Sequence, residues 1–515
     1  MAIKLINTHT LLLAFNLLVY CSKANPKSFI RTDSTIHIKI LYKEATKQDT
    51  LTISIGQNML TTLARNGDGD RRQKYKAVQN ERGYYQFEIP VHQSCGYFDL
   101  SKNRTTQDES TLYNMVPIMD PQFWELGDSI TINLKFTESI LGGGAVCTFY
   151  GRGSAKYNLC NDLYHFNLQL KTPIKVSEIW PPGWDGNILE YENFDSIPTI
   201  ISAKLKVLDS RKDSLTNESY NVIKANLLYS SKGAWFSQIL NFGRNGKLKK
   251  LNNKTQQAFL NRFNSSFDAS NNYKIEDKYL INSIDFLYFL QKRFQASSVL
   301  NTGKYSPEWI YNALKKYPIS NEIKETLIMR EFAHSAVFAH NLGQIYDDAQ
   351  TIIKNKQYLG LLKEFRSRVP GQTFTDFSLK DLNDSIKTLS NYKNKVILID
   401  FWFTGCGHCE DYYRDILSKV EQKLQKNPKV IFLSISIDKS KIVWKQSVEK
   451  GIYTSKDAEN LYTNGQMDQH PIIRINNIPG YPFLILLDKD SKIKSFNSAD
   501  LHEEKSLTKS IMDLL

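Results

Sequence analysis

"VILIDFWFTGCGHCEDYY", Val396 to Tyr413, decides how the C-terminal part of this chain is read. Its first eight residues are apolar except for Asp400. Such a near-continuous apolar run predicts a strand buried on both faces of its sheet. Cys406 and Cys409 follow, separated by Gly407 and His408. Beyond them Ile416, Val420 and Leu424 recur at a helical interval, and Asn427–Pro428 stops the pattern. The two cysteines therefore stand where a buried strand turns into the start of a helix.

That position favours a thiolate, because free amides and the positive end of the helix dipole face it. Cys406, at the very start, gains most and is expected to be the more exposed, so it is the candidate attacking sulfur. Cys409, one turn in, can resolve a mixed disulfide. Two other readings compete. A zinc site needs four ligands, and neither a second Cys-x-x-Cys nor a histidine pair at ligand spacing is present. A structural disulfide across a two-residue loop removes little chain entropy. Redox exchange uses the placement best.

Two further residues fit that chemistry. Asp400 interrupts an apolar strand, and a buried carboxylate is costly unless it has a task. It is a candidate acid/base for the proton of Cys409. The alternative is a carboxylate at an exposed strand end. Pro482, in "IPGYPFLILLD", stands directly before another apolar strand, where a residue that cannot donate to a sheet is out of place. A cis Tyr481–Pro482 bond would end that strand beside the cysteines and leave the Tyr481 backbone to pair with an extended substrate. Pro479 is the second candidate, less well placed.

"ILIDFWFTGCGHC" is similar to the active-site strand and turn of thioredoxins. The lead-in from "VPGQTFTDFSLKDLNDSIKTLSNYKNK", together with "SISIDKSKIVW" and "IPGYPFLILLDKDSKI", resembles the TlpA/ResA type of exported bacterial thiol–disulfide oxidoreductase. That resemblance covers about residues 369–515. "FYGRGSAKYNLC", Phe149 to Cys160, resembles more loosely a segment joining the β-rich and helical regions of multidomain Bacteroidetes relatives. The resemblance implies a periplasmic or membrane-facing thiol–disulfide oxidoreductase, often a reductase. It implies Cys406 as nucleophile, Cys409 as resolving thiol, Asp400 as buried acid/base and Pro482 as the cis-proline. It implies protein disulfides or dithiols as substrates, a membrane thiol relay as electron donor, and no cofactor beyond the Cys406–Cys409 pair. Three positions depart from the pattern. His408 replaces a common proline, Gly405 a tryptophan, and Phe483 a threonine. Cys-Gly-His-Cys resembles the site of protein disulfide isomerases. An imidazole beside the thiolate stabilises the reduced form, so His408 favours a more oxidising pair.

The whole chain has 515 residues, too many for one core. The expected organisation is a multidomain α+β protein. It comprises a signal peptide over about 1–24, a β-rich domain over 25–150, a mostly helical region over 151–368 and a thioredoxin-like α/β domain over 369–515. "LLLAFNLLVY", Leu11 to Tyr20, is an apolar run too short to span a bilayer, and Ser22 and Ala24 offer a cleavage site before Asn25. Export to the periplasm or cell envelope follows. Cys21 raises lipid anchoring as a second reading, against which Tyr20 is not the small residue such signals place before the cysteine. The net charge of +13 is spread along the chain, and no nucleic-acid-binding signature accompanies it, so nucleic acid is not an expected partner.

In the N-terminal part Ile36, Ile38 and Ile40 alternate with polar residues, as do Tyr85, Phe87 and Ile89, and Ile130, Ile132, Leu134 and Phe136. This period of two predicts an antiparallel sandwich or barrel. Cys147 and Cys160 are close enough in sequence to pair, with buried free thiols as the alternative; Cys95 completes an odd set. Asn66, Asp68 and Asp70 imitate the start of a calcium loop but lack its glycine and glutamate, so a turn is expected. From Ser154 the pattern is helical. Leu287, Leu290 and Phe294 mark one apolar face, Ser306 with Pro307 opens a helix, and Ser320 is expected to cap the next. His334 and His340 do not share a helix face at ligand spacing and read as packing or surface residues.

Overall fold

The computed structural model describes residues 34–46, 49–56, 72–103, 115–137, 144–169, 199–244, 246, 252–265, 273–335 and 342–515. The expected signal peptide with Cys21, the Asn66–Asp70 turn and His340 lie outside them.

The alternating segments form a two-sheet sandwich. One sheet has the order β4 (Tyr84–Pro90), β1 (Thr35–Tyr42), β7 (Ser129–Thr137), β8 (Gly144–Arg152). The other has β3 (Gln73–Val78), β2 (Thr50–Ile55), β5 (Cys95–Asn103), β6 (Met115–Glu125). Ile36, Ile38, Ile40, Ile130, Ile132 and Leu134 all point into the core between the sheets. One expectation is corrected: the sandwich is not purely antiparallel, because β1 and β7 run parallel, Ile38 opposite Ile130. Residues far apart in sequence set that pairing, so alternation alone cannot orient it.

Helix Ser154–Gln169 leaves β8 at once and leads into a helical region. Tyr97 and Phe123, on the outer face of the second sheet, pack into the helical core with Leu287, Leu290 and Phe294. Ser306 caps helix Pro307–Lys316 as expected, accepting from the Trp309 amide at 3.2 Å. Ser320 does not cap helix Asn321–Ser335: its carbonyl receives the Lys324 amide, but its buried hydroxyl makes no hydrogen bond. Half-buried His334 packs edge-on against Tyr305.

The C-terminal part is a seven-stranded mixed sheet. Its order is β10 (Ile386–Lys387), β9 (Leu379–Asp381), β13 (Glu459–Tyr462), β12 (Val430–Ser436), β11 (Val396–Trp402), β14 (Phe483–Leu487), β15 (Ile493–Phe496). β11 is central, parallel to β12 and antiparallel to β14. Every residue of β11 is buried. Ile397, Ile399 and Phe401 face one apolar layer, while Val396 and Leu398 face another that contains Leu417, Val420, Leu507 and Ile511. The short β9, β10 and β13 add strands that the sequence pattern did not register. Among the described residues no helix is long and apolar enough to cross a membrane.

Candidate active site

β11 delivers the chain into a tight turn at Phe403–Gly405. Thr404 is held by Asp438 at the end of β12: its amide donates to Asp438 Oδ1 at 2.8 Å and its hydroxyl to Oδ2 at 2.9 Å. Gly405 has φ +91°, a conformation that side chains disfavour, and its amide donates to the Tyr453 hydroxyl at 2.9 Å. This accounts locally for the glycine that departs from the thioredoxin pattern.

Cys406 is then the cap of helix Gly407–Tyr412; its Sγ accepts from the Cys409 amide at 3.1 Å. The two sulfurs form a disulfide, with the Cα atoms 5.3 Å apart. Cys406 is 6% exposed and Cys409 2%, so the expected order holds, although both are buried. They pack with Trp402, Trp444, Tyr453 and Tyr462, and Tyr481 lies against this cluster. Trp402 stacks on Tyr453 at 5.1 Å and donates to Ser434 Oγ at 2.6 Å. The other described cysteines are free thiols, and Cys147 and Cys160 are not bonded to each other. Burial pushes Cys95 and Cys160 up to about 12 and Cys147 to about 11, so none is poised as a thiolate.

Asp400 is buried, not at an exposed strand end, and its Oδ1 has no hydrogen-bond partner. Burial first, and the nearby Glu421 charge second, hold its carboxyl well above the usual carboxylate range. The Tyr481–Pro482 bond is cis, at the head of β14. His408 is exposed and faces Pro482 across an open groove of about 310 Å³ that also takes in Tyr412 and His502. His502 reaches this groove from the 3-10 turn Ala499–His502, and its ring contacts Tyr412 at 5.6 Å. Burial holds it below the usual imidazole value.

The structure thus brings together Cys406, Cys409, Tyr481 and Pro482, with His408 on the rim and Asp400 on the strand beneath. Sequence reasoning missed His502, which no local pattern marks. It also missed Glu421, whose signal was its spacing. Lying between Leu417 and Leu424 at helical intervals, it had to face inward.

Residues 394–493 match a family model described as thioredoxin-like. Over 64 residues the chain is 39% identical to rice "Thioredoxin-like 1-1, chloroplastic", covering 12% of this chain and only 20% of that protein. Over 145 residues it is 26% identical to "Thioredoxin-like protein YneN" of Bacillus subtilis, covering 28% of this chain and 79% of that one. Among solved structures, the C-terminal domain of a putative thiol-disulfide oxidoreductase from Bacteroides thetaiotaomicron is similar at 25% identity and a TM-score of 0.25, covering 28% of this chain and 95% of that one. A thioredoxin-like protein from Bacteroides caccae spans 59% of this chain and 96% of its own at 12% identity and a TM-score of 0.28. Residues 394–493 of this multidomain chain therefore form a thioredoxin-like domain.

Proposed function

We propose that the chain is an exported thiol–disulfide oxidoreductase that reduces disulfides in envelope proteins through Cys406 and Cys409. The observation that carries this reading is the bonded pair capping a helix directly after a buried strand, with cis Pro482 across the groove. In the reduced enzyme the Cys406 thiolate attacks a substrate disulfide and one substrate sulfur leaves. Asp400 takes the proton of Cys409, Cys409 attacks Cys406 Sγ, and the second substrate sulfur leaves. Two electrons pass from the dithiol to the substrate, and a membrane thiol relay restores the pair. Export rests on the Leu11–Tyr20 run, with Cys21 as a second, lipid-anchored reading.

Exposed His408 favours a second reading, an oxidase or isomerase. Measuring the reduction potential of the pair separates the two. A value near about −180 mV, that of disulfide isomerase, instead of about −270 mV, that of thioredoxin, sinks the reductase assignment. A reading of another class is an envelope binding protein with an accessory thioredoxin domain.

Cys409→Ser tests catalysis directly. Cys406 should then hold substrates as mixed disulfides that dithiothreitol releases, and Cys406→Ser should hold none. An absence of adducts, with an unchanged cellular phenotype for Cys406→Ser, favours binding over catalysis.

A further inference from the structure

Beneath the cysteines lies a second buried acid that the reaction above leaves unused. Asp400 and Glu421 are each 4% exposed. Side chains alternate along a strand, so Asp400 shares a face of β11 with Val396 and Leu398. Those two pack in one layer with Tyr412, Tyr413, Leu417, Val420 and Leu424. Glu421 stands on helix Ser418–Leu424 within that same layer. The two carboxyl groups therefore enter one apolar layer from the strand and from the helix.

Their surroundings differ in a useful way. Asp400 Oδ1 has no partner, and its register neighbours are Ser434, engaged by Trp402, and apolar Leu484. Glu421 Oε2 accepts from the Tyr413 hydroxyl at 3.3 Å. Ser455 also hydrogen-bonds to Glu421, and the exposed Asp457 lies beyond. Glu421 therefore sits between the enclosed Asp400 and the surface. The ionisable groups acting here are Tyr412, Tyr413 and Glu421 from the helix and Asp457 from the loop. The helix Glu504–Met512 contributes apolar Leu507 and Ile511 to the layer, while its Glu504 pairs with Lys423 at the surface. Burial pushes Glu421 up to about 7, which suits a group that exchanges protons near neutrality.

We propose that Glu421 is a positioning residue for disulfide exchange: it shares a proton with the Asp400 carboxyl and passes it toward solvent on the Asp457 side. Two neighbouring buried carboxylates resist ionising together, so one proton is held between them. During resolution the Cys409 S–H bond breaks and its proton goes to Asp400. The Cys409 electron pair forms the bond to Cys406 as the bond from Cys406 to the substrate breaks, and the substrate sulfur leaves with that pair. Glu421, which held the shared proton while Asp400 was ionised, releases it toward solvent and then takes over the Asp400 proton, while the departing thiolate takes a proton from water. No electrons move in the relay.

The inference rests on Asp400 being the proton acceptor, and the test separates the two. Reduced full-length protein is oxidised by glutathione disulfide across a pH series, followed by tryptophan fluorescence, in wild type, Asp400→Asn, Glu421→Gln and the double variant. Asp400→Asn should slow resolution at least about tenfold and remove the carboxyl limb from the pH profile. Glu421→Gln should move that limb to lower pH by about one unit, since it removes the neighbouring charge. In the Asp400→Asn background it should add no shift. An unchanged rate and profile for Asp400→Asn overturns the acceptor role itself. An altered Asp400→Asn profile with no shift from Glu421→Gln, or an equal shift in both backgrounds, overturns only the role of Glu421. If Glu421→Gln does not fold, infrared titration of the wild-type protein decides the matter instead. Two protonated carboxyls lost in coupled steps support the pair, and a single independent loss refutes it.

Discussion

Asp400 keeps one oxygen unpartnered inside the core, and that has a consequence for stability. Its folded-state pKa is raised, by burial and then by Glu421. At about pH 3 and below the carboxyl is neutral in both the folded and unfolded chain. As pH rises toward the elevated folded value, only the unfolded chain loses the proton, so folding becomes progressively less favourable. Asp400→Asn should therefore match wild type in denaturant unfolding at pH 3 and exceed it at pH 8, on the order of 1–3 kcal/mol. His408 is exposed beside the pair. His408→Pro removes a group that stabilises the thiolate, and it should lower the reduction potential measured against glutathione by tens of millivolts, ~30 mV being about 1.4 kcal/mol. Cys406, Cys409, Asp400 and Pro482 were legible because each breaks a local rule: thiols at a helix start, an acid in an apolar strand, a proline before one. His502 breaks none, and Glu421 shows only in its helical spacing between Leu417 and Leu424. A histidine in a polar turn is an ordinary residue until tertiary packing buries it, and a glutamate's spacing says that it faces inward but not what it meets.

Among strands and helices, the alternating and the apolar strands were readable because burial imposes their period. Partnering was not, as the parallel β1–β7 pair shows, because register and direction depend on residues distant in sequence. The helix after the cysteines contains a π turn over Tyr413–Leu417, where a regular helix was expected. Five residues of altered hydrogen bonding leave too little trace in a four-residue spacing to be seen. The junction Phe149–Cys160 gains a physical meaning. Gly153 has φ +91°, and a Cβ there would fall onto the Asp128 carboxylate. Gly153→Ala should cost about 1–3 kcal/mol from backbone strain alone, with the clash added. Thermal unfolding followed by circular dichroism checks it.

Across the whole molecule, the sandwich and the helices are joined by buried charge. Lys156, 4% exposed, bonds Asp128 Oδ1 at 2.8 Å and pairs with Glu125 at 3.2 Å. Tyr157 donates to the same Asp128 at 2.6 Å, and Glu125 also accepts from Ser219 of the helical region. Lys156→Met leaves both carboxylates without their counter-cation and should destabilise the chain by about 3–5 kcal/mol, seen as a lowered denaturant midpoint. A lysine and two acids in separate elements give no sequence signal of their meeting. The opposite end of the helical region is similarly fixed. Arg368 is buried, and its guanidinium donates twice to the Ile475 carbonyl, at 2.9 and 3.1 Å. Three residues later the Gly371 amide donates to Ile493 of β15 at 2.7 Å. The thioredoxin-like domain is therefore mounted, not leashed. A catalytic head on a slack tether sweeps a volume and finds targets by local concentration. Here the entering chain is pinned at Arg368 and Gly371, so under the exchange proposed above the reach of the site is short and substrates must bring their cysteines to it.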